Sequence, residues 1–343
     1  MSNRVILSVD AMGGDFGPRV TLPACTSVLK KHPALEILLV GEADLLNKQL
    51  GRMRLSDDIK ARLTIVASGD SVQMDDKPSA AIRHRQDSSM AVAVKMVAEG
   101  SAAACVSAGN TGALMAFGRQ HLKMQPGIDR PAIIASVPTM QGHCYMLDLG
   151  ANVDCSEEHL LQFAIMGSVM FEALEGVPAR IGLLNIGEEA IKGNEQVRLA
   201  HELIRQQKGL NYIGFIEGND VFAGKADVIV CDGFVGNIAL KSSEGLAKLI
   251  SRKVRRSFTR NLYRRLLAFL AYPVLRELQE QMDPSRRNGA TLLGLQGIVM
   301  KSHGGANKNC FAYALEQAII EVEQNVPSKI SERLASYLTS KDQ

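Results

Sequence analysis

Six short stretches of this chain combine glycine with Asp, Asn, Ser or His, and each follows an apolar run. They are Asp10-Ala11-Met12-Gly13-Gly14-Asp15, Ser107-Ala108-Gly109-Asn110-Thr111-Gly112, Asp148-Leu149-Gly150-Ala151-Asn152-Val153-Asp154, Asn185-Ile186-Gly187-Glu188-Glu189 with Lys192-Gly193, Asp232-Gly233-Phe234-Val235-Gly236-Asn237, and Lys301-Ser302-His303-Gly304-Gly305-Ala306-Asn307. The second is the most informative. Ala103 to Val106 reads as a buried strand and Gly112 to Leu122 as a helix, with a polar glycine turn between them. The first N–H groups of such a helix lack intrahelical partners, and the helix dipole makes that end an anion site. Glycine lets a phosphate approach the backbone, while Ser107, Asn110 and Thr111 can add side-chain hydrogen bonds. The competing reading is an ordinary turn in which Asn110 or Thr111 only caps the helix. Recurrence favours a site: six such turns suggest one crevice rich in amide donors, with a few carboxylates and one or two lysines.

The positioning elements follow from periodicity. Val5 to Asp10, Glu36 to Val40, Leu63 to Ala67, Ala103 to Val106, Arg180 to Ile186, Tyr212 to Glu217, Asp227 to Cys231 and Ile298 to Ser302 read as strands, and Ala132 to Val137 with Cys144 to Leu149 as a strand pair. Helical patterns cover 19–31, 43 onward, 88–99, 112–122, 156–174 and 195–207, with a short helix after Pro78 and a last major helix at 306–324. Ser156 is the expected N-cap of its helix, with Glu157 and Glu158 at the positive end. This alternation predicts an α/β fold: a mainly parallel sheet with helices on both faces and ligands beyond the carboxyl ends of strands. A helical tract over 234–283, running to about Leu270 before Pro273 interrupts it, breaks the alternation and makes two lobes plausible within one unit.

Composition narrows the classes. The 343 residues can bury a sizeable core, and 46% hydrophobic with 22% charged residues fits a soluble globular protein. No tryptophan and 5% aromatics mean an aliphatic core and argue against a base-stacking nucleic-acid platform. The six cysteines, Cys25, Cys105, Cys144, Cys155, Cys231 and Cys310, form no CxxC pair, so they read as free thiols of a reducing cytoplasm. The chain enters a strand at once, without a signal-peptide pattern, and the apolar run 266–275 is too short to span a bilayer. The formal net charge is +3; Arg252, Lys253, Arg255, Arg256, Arg260, Arg264 and Arg265 contribute +7, and +3 less +7 leaves −4 elsewhere. The basicity is local.

Several standard motifs are absent. Gly13-Gly14-Asp15-Phe16-Gly17 does not fit the dinucleotide fingerprint, and there is no Walker A loop or H-E-x-x-H. Cys105 occupies the position where a nucleophile elbow around Ser107 needs glycine. His303-Gly304-Gly305 is similar to a hydrolase oxyanion loop but has no matching nucleophile. No His, Cys and Asp spacing suits a metal, so no metal and no cofactor is expected.

The stretches Val9 to Pro18, Ala104 to Met115, Leu147 to Cys155, Leu184 to Glu189, Val230 to Asn237 and Lys301 to Asn307 together resemble the bacterial phosphate acyltransferase (PlsX) family, nearly from end to end. The match is weakest over Ser251 to Arg287. The resemblance implies a fold like phosphotransacetylase and the isocitrate dehydrogenase group, in a homodimer. It implies transfer of a long-chain acyl group from acyl carrier protein to inorganic phosphate, giving acyl phosphate for phospholipid synthesis, in the cytoplasm and with no nucleic-acid partner. Phosphate is itself a nucleophile, so no acyl-enzyme is required; the protein must hold a dianion against the thioester carbonyl and stabilise the oxyanion.

On that reading Ser107, Gly109, Asn110, Thr111 and Gly112 bind phosphate, and Lys192 neutralises developing charge. Asn185 and Asn237 donate amide hydrogen bonds. Asp232 orients Lys192 or takes a phosphate proton, and His303 supplies a proton to the leaving thiolate. Asp10, Gly13, Gly14, Asp15, Asn152 and Glu188 complete the crevice.

The basic tract has three readings. At helical pitch Val254, Phe258, Leu262, Leu266 and Phe269 share a face, with Lys253, Arg256, Arg260 and Arg264 opposite. This suits an interfacial helix on an anionic membrane, with Arg252 adding to the contact and each basic residue worth roughly 1 kcal/mol. It equally suits docking of an acidic carrier protein, or a dimer-facing stripe with a solvated back. Three whole-protein alternatives are short-chain acyl exchange between coenzyme A and phosphate, a nicotinamide-dependent dehydrogenase and a membrane-bound scaffold.

Overall fold

The reading frame of the structure is one sheet of eleven strands in the order β3-β2-β1-β4-β11-β10-β5-β6-β9-β7-β8. The computed structural model describes residues 4–189, 191–276 and 289–341, the side chains of 337–341 apart. The strands are β1 (Val5–Asp10), β2 (Leu35–Gly41), β3 (Leu63–Ala67), β4 (Ala104–Ser107), β5 (Ala132–Thr139), β6 (Gly142–Leu147), β7 (Arg180–Leu184), β8 (Asn211–Ile216), β9 (Val228–Val230), β10 (Ala290–Leu293) and β11 (Ile298–Lys301). Helices cover both faces, so β4, β9 and β11 are buried throughout and read as continuous apolar runs.

Strand direction reverses at three successive pairs in the middle of the sheet. β3, β2, β1, β4 and β11 are mutually parallel. β10 is antiparallel to both β11 and β5, and β5 is antiparallel to β6. From β6 onward, β9, β7 and β8 are again parallel to their neighbours. The tight connection Met140-Gln141 between β5 and β6 permits only antiparallel pairing. The carboxyl ends of β1, β4 and β11 therefore point opposite to those of β6, β9 and β7, but the register brings both to one level. Lys301 is opposite Ser107 and Ala290, Ala290 is opposite Ala135, and Ala135 is opposite Met146, so the two sets of ends face each other near the middle of the sheet. The six turns thus fall into two sets of three that approach one level from opposite directions, because the strand pair and β10, the latter not revealed by periodicity, reverse the strands between them.

The core is aliphatic, in three clusters. One packs helices 18–31 and 308–323 on β1, β2, β4 and β11 through Leu22, Leu29, Phe311 and Leu315. One packs helix 157–175 on β6, β7 and β9 through Leu160, Phe163 and Met166. The third lies beneath helices 89–98 and 111–121 and extends through Val137 and Ile229. Ser156 caps helix 157–175 as expected, accepting from the His159 N–H at 3.3 Å while the His159 ring accepts from the Ser156 N–H at 2.9 Å. Five cysteines are buried and Cys155 is partly so. A further helix at 326–341 follows the last major helix expected at 306–324, held by buried Val326, Ile330 and Leu334.

The basic tract differs from its expected form. A helix runs from Gly233 to Thr259 and a second from Leu262 to Leu270. The break falls at Asn261, extended at φ −152°, whose side chain accepts from the Arg264 N–H at 2.9 Å. An N-cap thus starts a new helix where apolar spacing suggested continuity. Residues 277–283 of the anticipated helical tract lie outside the described residues. In helix 233–259 only Gly233 and Gly236 are buried, so its first turn anchors it.

Candidate active site

Asp10 organises the first set of turns. It is 1% exposed, accepting from Ser89 Oγ on one oxygen and from Ser107 Oγ on the other, both at 2.6 Å. Burial pushes its carboxyl upward, opposed by the two hydroxyls. Ser107 Oγ accepts in turn from the Gly109 N–H at 3.0 Å. A Cβ at Gly13 would lie 2.5 Å from Asp10 Oδ2 and 2.9 Å from Gly109 N, so only glycine allows this approach. Gly14, at φ +82°, faces Ala108 and the Gly304 carbonyl, and Asp15 N–H donates to Gly304 O at 3.0 Å. Ser302 N–H donates to Ser107 O at 2.8 Å. The ends of β1, β4 and β11 are thereby tied into one structure.

Asn110 caps helix 111–121, accepting from the Ala113 N–H at 3.0 Å. Its amide donates to the carbonyls of Gln73, Met74 and Asp76 at 3.3, 2.9 and 2.9 Å. Two of the three polar side chains assigned to the anion are therefore occupied in shaping the turn: Ser107 donates to Asp10, and Asn110 holds residues 73–76. The groups left to meet an anion are the leading N–H groups of the helix at Thr111 and Gly112, with the Thr111 hydroxyl. Lys301, which opens the sixth glycine-rich stretch, lies here too, a site residue that the motifs did not single out. Its Nζ donates to Ala108 O at 3.3 Å and to Ser302 O. The readable signal was a lysine closing the apolar run Ile298-Val299-Met300. His303 accepts on Nδ1 from the Gly305 N–H at 3.1 Å. Burial holds its pKa below the ordinary histidine value, with Lys241 lowering it further, so the ring is neutral at pH 7.

The second set sits at the ends of β6, β9 and β7. Asp148 is fully buried; Oδ1 accepts from the N–H groups of Ile133, Gly150 and Ala151, and Oδ2 from Asn152 N–H and Asn152 Nδ2. Burial raises its pKa against those donors. Asn152 also donates to Pro131 O at 2.7 Å, and its carbonyl accepts from the Gly233 N–H at 2.8 Å. The helix that begins there is capped by Asp232, which accepts from Val235 N–H at 2.8 Å, and Asn237 lies over Gly150. On β7, Asn185 clasps its own loop by donating to Gly187 O and Lys192 O at 3.1 and 3.2 Å. Lys192, 45% exposed at its side chain, pairs with Glu189 at 3.1 Å, and Glu188 pairs with Lys225. Lys192 is thus solvent-facing and Asp232 is engaged in capping.

Helix 233–259 relates the two sets. It starts on Asp148 and Asn152, and further along Lys241, Glu244 and Lys248 reach His303 electrostatically, Lys241 also reaching Lys301. Exposed apolar side chains gather at the second set: Val153, Ile186, Ile191, Phe234 and Ile238.

The fold is that of the phosphotransacetylases. The EutD phosphotransacetylase from Staphylococcus aureus superposes with a TM-score of 0.61 at 15% identity, covering 94% of each chain. A 4-hydroxythreonine-4-phosphate dehydrogenase from Klebsiella pneumoniae has a TM-score of 0.52 at 16% identity, covering 92% of this chain and 99% of its own. One fold thus carries different chemistries, and sequence must choose between them. The chain belongs to the fatty acid synthesis protein family, whose pattern matches residues 5–329. It is 54% identical over 333 residues to a protein named phosphate acyltransferase of Pseudomonas savastanoi pv. phaseolicola, covering 97% of each. It is 52% identical over 343 residues to one of the same name from Alkalilimnicola ehrlichii, covering 100% of this chain and 99% of that one. It is an enzyme, an acyltransferase. No described helix is long and apolar enough to cross a membrane.

Proposed function

We propose that this enzyme transfers a long-chain acyl group from acyl carrier protein to inorganic phosphate, releasing acyl phosphate for phospholipid synthesis. The observation that carries the reading is end-to-end identity above one half with proteins named phosphate acyltransferase, in a chain with a glycine turn at a helix N-terminus. A phosphate oxygen attacks the thioester carbonyl carbon, the tetrahedral oxyanion collapses, the C–S bond breaks, and the thiolate leaves to be protonated. Phosphate is assigned to the turn 107–112, where Ser107 and Asn110 keep the N–H groups of Thr111 and Gly112 aimed outward. Lys192, Asn185 and Asn237 are assigned to the carbonyl oxygen, and Asp232 to orienting Lys192 across the neighbouring strand ends. His303, neutral, takes the proton that hydrogen phosphate loses as the acyl phosphate forms and passes it to the leaving thiolate, a small contribution because a thiol ionises near pH 8.5. The wall shared by both substrates is helix 233–259.

The deciding experiment incubates the protein with long-chain acyl carrier protein, with and without phosphate. Free thiol and acyl phosphate are expected together, and only with phosphate; thiol release without it would sink the reading. Short-chain exchange with coenzyme A, the reading suggested by the fold, predicts preference for acetyl-coenzyme A instead. Lys192→Ala is expected to lower kcat roughly 100-fold, the order of losing one oxyanion donor, while KM for phosphate changes little. Unaltered turnover would remove Lys192 from the chemistry.

The partner surface is assigned to the basic tract. Arg252, Arg256 and Arg260 are exposed, as are Leu262, Leu266 and Phe269, while Phe258 and Arg264 are half-buried. Docking of an acidic carrier protein on these cations is expected to raise its KM with salt, and to leave acyl-coenzyme A unaffected. Binding to anionic liposomes in flotation would assign the same face to a peripheral membrane contact. A mass of two chains in light scattering, lost on Leu266→Asp, would assign it to the homodimer.

A further inference from the structure

Lys301 closes β11 with its side chain in the interior, 9% exposed. An ammonium has three N–H donors, and the carbonyls of Ala108 and Ser302 take two of them. No carboxylate lies within ion-pairing distance of it among the described residues. The charged groups that face it are Asp10 from β1, Asp15 from the following turn and Lys241 from helix 233–259, with His303 two residues on in its own loop. Asp10 is committed to Ser89 and Ser107. A buried ammonium without a counter-ion is costly, and this one abuts the positive end of helix 111–121 through Ala108. Two positive features side by side, one of them buried and with a donor to spare, define a place for an anion.

We propose that Lys301 is the cation that holds bound phosphate, its third N–H joining the N–H groups of Thr111 and Gly112. The assignment rests on the reading of the 107–112 turn as the phosphate site and adds to it a residue that directly touches the anion. Desolvation draws the lysine down to about 8, so its charge is lost in mildly alkaline solution, where an ordinary lysine is still fully protonated. Phosphate affinity is then expected to fall about tenfold per pH unit above that value.

The test uses the full chain. Calorimetry with inorganic phosphate alone measures binding from pH 7 to 9.5, and steady-state kinetics with varied phosphate measure KM. Lys301→Met keeps the aliphatic volume and removes the donors. It is expected to weaken phosphate roughly 10- to 100-fold, the range for a lost hydrogen bond to a charge. KM for the acyl thioester should stay within about twofold, the alkaline fall in phosphate binding should disappear, and Lys301→Arg should recover part of the affinity. Equal phosphate binding by Lys301→Met, or an unchanged alkaline fall in it, would overturn the assignment. So would a parallel rise of both KM values, the mark of a merely structural lysine. Should Lys301→Met fail to fold, the wild-type protein decides: a flat affinity between pH 7.5 and 9.5 overturns the proposal. Wild-type binding of phosphate without thioester consumption would leave Lys301 in place and defeat the proposed function. Phosphate-dependent turnover unaffected by Lys301→Met would do the reverse.

Discussion

Asp148→Ala is expected to cost at least about 4 kcal/mol, a large share of the roughly 5–15 kcal/mol that holds a typical fold together. The carboxylate is buried and takes N–H donors from Ile133, Gly150, Ala151 and Asn152 together with the Asn152 amide, at 2.7–3.2 Å. Each donor left dry and unpaired costs about 1–3 kcal/mol, and water entering the gap recovers only part. The loss reaches beyond the loop, because Asn152 O receives the first N–H of helix 233–259. Asp148→Asn preserves one acceptor but turns an amide N–H₂ toward other donors, so about 2 kcal/mol is expected. Urea midpoints at pH 7 measure both; an alanine variant within 1 kcal/mol of wild type would show that Asp148 does not seat this helix.

Gly236→Ala separates seating from stability. A Cβ there would stand 2.0 Å from the Asp148 carbonyl oxygen and 2.9 Å from Cys231 Sγ. The carbonyl belongs to backbone that the Asp148 side chain pins, so the helix must move instead. Asn237 and Lys241 move with it, and a displacement of about 1 Å at a reacting site can cost about 100-fold. We expect turnover to fall about 100-fold or more, with a stability loss of about 1–3 kcal/mol from overpacking. Gly245→Ala, in the same helix with nothing within 4 Å of its Cβ, is the control. It should gain about 0.5–1 kcal/mol from reduced backbone entropy and keep its activity. Equal effects at the two positions would refute the contact.

The local devices were readable from residue types. Asn110, Ser156 and Asp232 each stand within two residues of the start of a helical pattern, and each is an N-cap. The break at Asn261 carried the same signal, masked by apolar spacing that continued across it. Four-residue β10 was not readable: Ala290-Thr291-Leu292-Leu293 is too short for a period, and its pairing with Ala132 to Ala135 spans more than 150 residues of chain.

By itself, then, the sequence determined the α/β class, the glycine turns at strand ends, the caps and the family, because these depend on residues a few positions apart. Only the tertiary structure decided which ends are neighbours, since strand direction is set by β10 and the β5–β6 hairpin pairing across the sheet. It also decided that Ser107 and Asn110 shape the turn while Lys301 is enclosed beside it. Burial and hydrogen-bond partners are properties of what packs around a side chain, and for Lys301 one of the two, the Ala108 carbonyl, comes from the turn after β4, 193 residues away.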